Sequence, residues 1–246
     1  MSHFFVNSSQ ITADVLTIVG DDVNHMKNVL RMRNGEAFTA ADENGIFYHC
    51  EVDLLEKEQV TAKILNQEQG GSELSSKIYL FQGLPKSDKM ELIIQKAVEL
   101  GAYEIVPVAT KRAIVKLDAK KEASKLKRWQ AIAEGAAKQS GRMMIPRISE
   151  VKTFGEALQM AKELDVNVIP YECAKGMDGT REIFGSIKPG MSVGIFIGPE
   201  GGFEPSEVSM IEAIGGKTLS LGHRILRTET AGMTIMSLLM FLLEEE

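Results

Sequence analysis

The chain has 246 residues, 44% hydrophobic and 25% charged, which excludes disordered and fibrous classes and suggests one large domain or two small ones. Its net charge of −6 argues against nucleic acid as a partner only until the distribution is read, because residues 76–150 hold 15 Lys and Arg against 8 Asp and Glu. A basic middle third between acidic flanks is the asymmetry of a polyanion-binding face, although a solvated Lys-rich helix over residues 116–128 would give the same count.

The first seventy residues read as β-rich. Short runs of β-branched and aromatic residues lie at 4–6, 15–19, 37–40, 46–52 and 59–65, separated by turns such as Asn34-Gly35 and Asn44-Gly45, a spacing typical of a small barrel. One helix is predicted over residues 21–30, capped by Asp21 or Asp22. Residues 66–76 are polar, contain Gly and Ser and lack apolar periodicity, so they are expected to be a linker. After it, strands are predicted at 78–82, 104–108, 166–170, 192–197 and 217–219. Helices are predicted at 89–100, 119–139, 205–214 and 228–243, and the alternation implies a mostly parallel sheet covered on both faces.

No basic-then-apolar leader opens the sequence, so a soluble, cytoplasmic protein is expected. The longest apolar run, residues 231–243, falls short of the roughly 20 residues that span a membrane and reads as a buried helix. Cys50 and Cys173 show no metal-ligand spacing, and neither a disulfide framework nor a metal site is expected. Gly216-Lys217-Thr218 resembles the end of a phosphate-binding loop, but Ile211 stands where that motif needs glycine.

Two segments carry the chemistry. In Gly198-Pro199-Glu200-Gly201-Gly202-Phe203 a strand runs into a Gly/Pro turn, the position where open α/β sheets bind ligands. Its glycines permit close backbone approach, and Glu200 disfavours a phosphate, so a neutral or cationic ligand such as an adenosyl sulfonium fits better than a nucleotide. A tight strand–helix turn with no ligand is the bland alternative. The second segment is Leu221-Gly222-His223-Arg224-Ile225-Leu226-Arg227-Thr228-Glu229-Thr230-Ala231, whose arginines need either acidic partners or an anion.

These two segments together resemble the signature of the RsmE family, the 16S ribosomal RNA uracil-N3 methyltransferases within the SPOUT superfamily. The resemblance runs along the whole chain: His25-Met26-Lys27-Asn28-Val29-Leu30-Arg31, Leu84-Pro85-Lys86, Lys96-Ala97-Val98-Glu99-Leu100-Gly101 and Gln139-Ser140-Gly141-Arg142 follow in order. It departs at His223, where the family commonly has Pro, and at Lys111-Arg112-Ala113, which replaces a more usual acidic-Arg-Ser. The role of that second segment is therefore left open.

The resemblance implies a PUA-like RNA-binding β-barrel over residues 1–72 and an α/β domain with a deep trefoil knot over residues 73–246. It implies S-adenosylmethionine as cofactor, held by Gly198, Pro199, Glu200, Gly201, Leu221, Gly222, Ile225, Leu226 and Thr230. Homodimerisation through the knotted domain, with the last helix as an interface element, is also implied, as is a partner in 16S rRNA or the small ribosomal subunit. RNA contacts are expected at His25, Arg31, Arg33, Lys86, Lys89, Gln139 and Arg142, with Lys27 as a further contributor.

Uracil N3 is a poor nucleophile until its proton is lost, so a base must remove that proton or a cation must stabilise the anion. Arg227 and Arg142 are the candidates for the cation, and Glu200 and Glu229 for the base; Glu229 could equally be a structural partner of an arginine. Two other readings share some of these features. One is a SPOUT methyltransferase acting on another rRNA or tRNA base; the other is a non-catalytic RNA-binding factor in ribosome assembly.

Overall fold

The fold is that of a computed structural model, which describes residues 2–69, 71–172, 174 and 176–244. Cys173 lies outside the described residues; Cys50 is a buried thiol. The chain divides into two compact units, Met1–Glu73 with Ala137–Ile145, and Leu74–Ala136 with Pro146–Glu246.

The first unit is built on a curled six-stranded sheet. Its strands are β1 (His3–Val6), β2 (Ile11–Thr12), β3 (Val15–Val19), β4 (Ala37–Asp42), β5 (Ile46–Leu55) and β6 (Gln59–Gln69), in the order β1-β4-β5-β6-β3-β2. Only β1 and β4 run parallel; the other pairs are antiparallel. Alternate residues turn inward, and Phe4, Leu16, Ile18, Phe38, Val52 and Val60 form the core with Met26.

Residues 66–69 belong to β6, pairing from His49↔Asn66 to Ile46↔Gln69, so the polar run is ordered strand with exposed side chains. Composition misleads because the ladder satisfies the backbone whatever the side chains are. The predicted helix over 21–30 is α-helical only as α1 (Asp21–Asn24); it continues as a π-helical turn, His25–Val29, and Gly20, not an aspartate, is its N-cap.

The second unit holds an all-parallel sheet. Its elements are β7 (Lys77–Gly83), α2 (Lys89–Glu99), β8 (Ala102–Ala109), α3 (Ala119–Ser140), β9 (Arg147–Ile148), β10 (Lys152–Thr153), α4 (Phe154–Ala161), β11 (Val166–Pro170), α5 (Asp178–Ser186), β12 (Ser192–Ile197), α6 (Pro205–Ala213), β13 (Lys217–Leu219) and α7 (Thr228–Leu243). The order is β10-β8-β7-β12-β11-β13, with β9 also on β8. The short helices α4 and α5 went unpredicted, although Thr153 and Glu156 form a capping box at the start of α4.

Strand order fixes where a ligand can sit. From β7 the chain moves to β8 on one side, whereas the next chain segments after β12 build on the other. The crevice at such a divergence, beyond the carboxyl ends of the strands, is the usual ligand site of an open parallel sheet. Phe81 and Phe196 stack with ring centroids 4.5 Å apart across β7 and β12 and pack this border. Helix α7, expected to be buried, is buried on one side, through Gly232, Ile235, Met236, Leu239 and Leu243, while Leu238, Phe241 and Leu242 are exposed.

Candidate active site

Beyond Ile197 the backbone turns tightly: the Gly202 N–H donates to the Pro199 carbonyl at 2.8 Å, and Gly202 has φ +68°, a left-handed value suited to glycine. The turn packs against the end of β7. A Cβ on Gly83 would lie 2.7 Å from Pro199 Cδ, and one on Gly198 would lie 2.9 Å from the Gly202 carbonyl carbon. Thr228, the first residue of α7, donates its hydroxyl to the Gly198 carbonyl at 2.6 Å and accepts from the Gln82 side-chain amide at 3.0 Å. The loop after β13 is pinned at its start, where Thr180 Oγ1 donates to the Ser220 carbonyl and accepts from the Ser220 N–H, both at 3.0 Å.

Between these two loops lies a cavity of about 520 Å³. Gly198, Pro199, Glu200, Gly201, Leu221, Gly222, Ile225 and Leu226 line it, as do Arg227, Arg224 and His223. The volume and the mixture of apolar walls with a few charged groups suit a drug-sized organic ligand. The cavity's apolar residues and closely approachable glycines fit an adenosyl group, while carboxylates and arginines in the same wall fit a sulfonium, an amino group and a carboxylate. The residues present therefore fit S-adenosylmethionine.

Thr230 is outside the lining. Thr228 and Ala231 face the cavity from the first turn of α7, and a residue about 200° round the helix from Thr228 points away; Thr230 is exposed and its carbonyl accepts from Thr234. Arg142 is outside it too. It is buried in the first unit, where its Nε donates to Glu73 Oε1 at 3.1 Å and its guanidinium also pairs with Glu73 Oε2. The Met143 N–H donates to the same carboxylate at 2.9 Å, so Arg142 works as a tie within its unit.

The carboxylates converge on a lysine. Lys89 Nζ lies 3.0 Å from Glu200 Oε1 and 3.5 Å from Glu229 Oε2, so Glu229 pairs with this lysine and with no arginine among the described residues. The Lys86 N–H donates to Glu200 Oε1 and Oε2 at 3.1 and 3.3 Å. Burial pushes the Glu200 carboxyl upward, but its own N–H, the Lys89 ammonium and the Lys86 N–H outweigh that and hold it below the ordinary range. The hydrogen bond to Glu200 in turn raises Lys89.

Arg112, whose role the sequence leaves open, is a site residue. Its Nε donates to Glu204 at 2.7 Å and its NH1 donates to the Gly201 carbonyl at 2.9 Å, so it clamps the turn after β12 from the end of β8. Its position three residues past a strand's carboxyl end was the available signal. Of the residues expected to contact RNA, His25, Arg31, Arg33, Lys86 and Gln139 are exposed, whereas Lys89 faces the cavity.

A family model described as an RNA methyltransferase domain matches residues 72–240, and one described as an RNA methyltransferase PUA domain matches residues 18–65. The chain is 38% identical to a ribosomal RNA small subunit methyltransferase E of Bacillus subtilis, over 92% of this chain and 89% of that one. The chain belongs to the RsmE family of RNA methyltransferases. A member of the family from Mesomycoplasma hyopneumoniae is 35% identical over 96% of this chain and 98% of its own. The crystal structure of the Neisseria gonorrhoeae member bound to S-adenosyl methionine superposes with a TM-score of 0.82 at 30% identity, covering 98% of each chain. Among the described residues no helix is long and apolar enough to cross a membrane.

Proposed function

We propose that this protein transfers the methyl group of S-adenosylmethionine to N3 of a uridine in 16S rRNA of the small ribosomal subunit. Family membership and the cofactor-bound relative support ribosomal RNA methylation with this donor. The observation that carries the reading is the cavity of about 520 Å³ between the turn after β12 and the loop after β13.

When bound, the donor supplies an already electrophilic methyl group, so the protein's part is positioning and charge management. The turn at Gly198–Gly201 and the residues Leu221, Gly222, Ile225 and Leu226 would hold the adenosyl group through backbone and apolar contacts. Arg227 stands in the wall with no ion pair or side-chain hydrogen bond among the described residues, which leaves its guanidinium free to stabilise the uracil anion. Arg142, committed to Glu73, keeps a structural role.

Residues 1–72 act as a PUA-like barrel that grips RNA, and residues 73–246 as the methyltransferase domain, its C-terminal loops threaded as a trefoil knot. Exposed His25, Arg31, Arg33 and Lys86 contact phosphates, which position the RNA without specifying sequence. Exposed Leu238, Phe241 and Leu242 on α7 support a homodimer through this domain. The cytoplasm, where ribosomes are assembled, is the expected compartment.

Mapping modified bases by mass spectrometry in 16S rRNA from a strain lacking the protein tests the target. Loss of one N3-methyluridine is expected. Loss from another rRNA or tRNA instead would move the substrate, and no change together with no S-adenosylmethionine uptake in calorimetry would leave only an RNA-binding assembly factor.

A further inference from the structure

Lys89 opens α2, yet its ammonium is committed across the crevice to Glu200 at 3.0 Å and Glu229 at 3.5 Å. The lysine follows β7, Glu200 follows β12 and Glu229 belongs to the first turn of α7, so one cation joins three stretches of chain. A helix N-terminus disfavours a cation through its dipole, so helix stability does not explain the choice of residue. The backbone that presents it is also unusual: Ser87 has φ +56°, left-handed for a non-glycine residue, and the Asp88 side chain makes no cap. Such outliers persist where surroundings over-determine them, and they cluster at working sites.

The two carboxylates are not equivalent. Glu200 already accepts from the Lys86 N–H on both oxygens as well as pairing with Lys89. Glu229 Oε2 is buried and has no hydrogen-bond partner among the described residues, with only the more distant ammonium beside it. Of the other charged groups nearby, Lys86 and Asp88 are exposed, and those that follow are engaged or line the cavity. On α2, Glu91 pairs with Arg128 at 2.7 Å and Lys96 with Glu99 at 2.8 Å. Strand β12 carries no titratable side chain, Arg112 pairs with Glu204 at 2.7 Å, and Glu172, His223, Arg224 and Arg227 line the cavity.

We propose that Lys89 is a positioning residue that gathers the Glu200 and Glu229 carboxylates around one cation, leaving Glu229 Oε2 as the acceptor of the uracil N3 proton. This rests on the methyltransferase reading and deepens it. The N3–H bond breaks, the proton joins Glu229 and the electron pair stays on nitrogen. That pair forms the N–CH₃ bond as the donor's S–CH₃ bond breaks, its electrons returning to sulfur.

The test compares wild type, Lys89→Met, Lys89→Arg and Glu229→Gln. Removing the cation should move the acidic limb of the methylation pH profile upward by about one pH unit. The Glu200 carboxyl, followed by carbon-13 NMR without RNA or donor, should titrate higher by a similar amount, and Lys89→Arg should restore both. Glu229→Gln should lower the methylation rate at least a hundredfold while S-adenosylmethionine affinity by calorimetry changes less than fivefold. An unmoved acidic limb in Lys89→Met, or a near-wild-type rate in Glu229→Gln, overturns the assignment; the second arm decides alone if Lys89→Met does not fold. Wild-type protein that neither takes up S-adenosylmethionine nor methylates RNA would instead sink the underlying function.

Discussion

Thr228 and Gly198 are joined by a 2.6 Å hydrogen bond from hydroxyl to carbonyl, which ties the start of α7 to the turn after β12. Because Thr228 also accepts from buried Gln82, Thr228→Val would strand both the Gly198 carbonyl and one Gln82 proton. Losing such a bond costs about 1–3 kcal/mol. Thermal denaturation of Thr228→Val should show a fall of several degrees, accompanied by weaker S-adenosylmethionine binding in calorimetry; an unchanged affinity would mean that the turn does not need this tie.

Arg227 should matter for chemistry more than for cofactor uptake. Arg227→Ala is expected to abolish methylation while leaving S-adenosylmethionine affinity within about tenfold, or 1.4 kcal/mol. Cofactor binding lost in parallel would show that the guanidinium holds the donor and not the developing anion.

Close packing of the turn makes two glycines intolerant. Gly83→Ala would place a methyl 2.7 Å from Pro199 Cδ and 2.8 Å from its backbone nitrogen, and Gly198→Ala would crowd the Gly202 backbone at 2.9 Å. Backbone cannot yield as a side-chain tip can, so either change should weaken S-adenosylmethionine binding more than tenfold in calorimetry. Gly135→Ala, in helix α3 with nothing near its would-be Cβ, is the control and should bind normally.

Arg31 is exposed and sits at φ +55° beside the π-helical turn. Arg31→Ala should weaken RNA binding and reduce the slope of log affinity against log salt by about one or less, read from fluorescence anisotropy at several salt concentrations. An unchanged slope would remove Arg31 from the RNA face.

His3 gives the first unit a pH dependence. Burial is the main cause of its pKa falling from 6.5 to about 4, with Lys138 contributing in the same direction; the Arg142 backbone opposes them. The folded state thus favours neutral imidazole while the unfolded chain takes up a proton below pH 6.5, so this contribution is present above that pH and lost as pH falls towards 4. At 1.36 kcal/mol per unit the full loss is about 3.4 kcal/mol. Urea denaturation at pH 7.5 and 5 should show that slope in wild type and a shallower one in His3→Gln.

Both the β-rich start and the alternating remainder were legible because each depends on local patterning: period-two runs bounded by Asn-Gly turns, and apolar stripes such as Met90, Ile93, Ile94 and Ala97 on α2. The two glycine-bearing loops were legible as well, since a strand followed by such a turn marks the carboxyl edge of a parallel sheet. Residues 66–69 were misread because backbone pairing in β6 leaves no trace in polar side chains that face solvent.

Sequence alone determined the family, the class of cofactor and which loops would meet, because these reside in residue types along short segments. Only the tertiary structure decided which groups work together. Arg142 went to Glu73, Lys89 to Glu200 and Glu229, and Arg112 to the turn it clamps. Partnerships of that kind depend on strand order and on which face of a helix turns inward, and charges far apart in sequence choose partners only once packing has brought them together and excluded water.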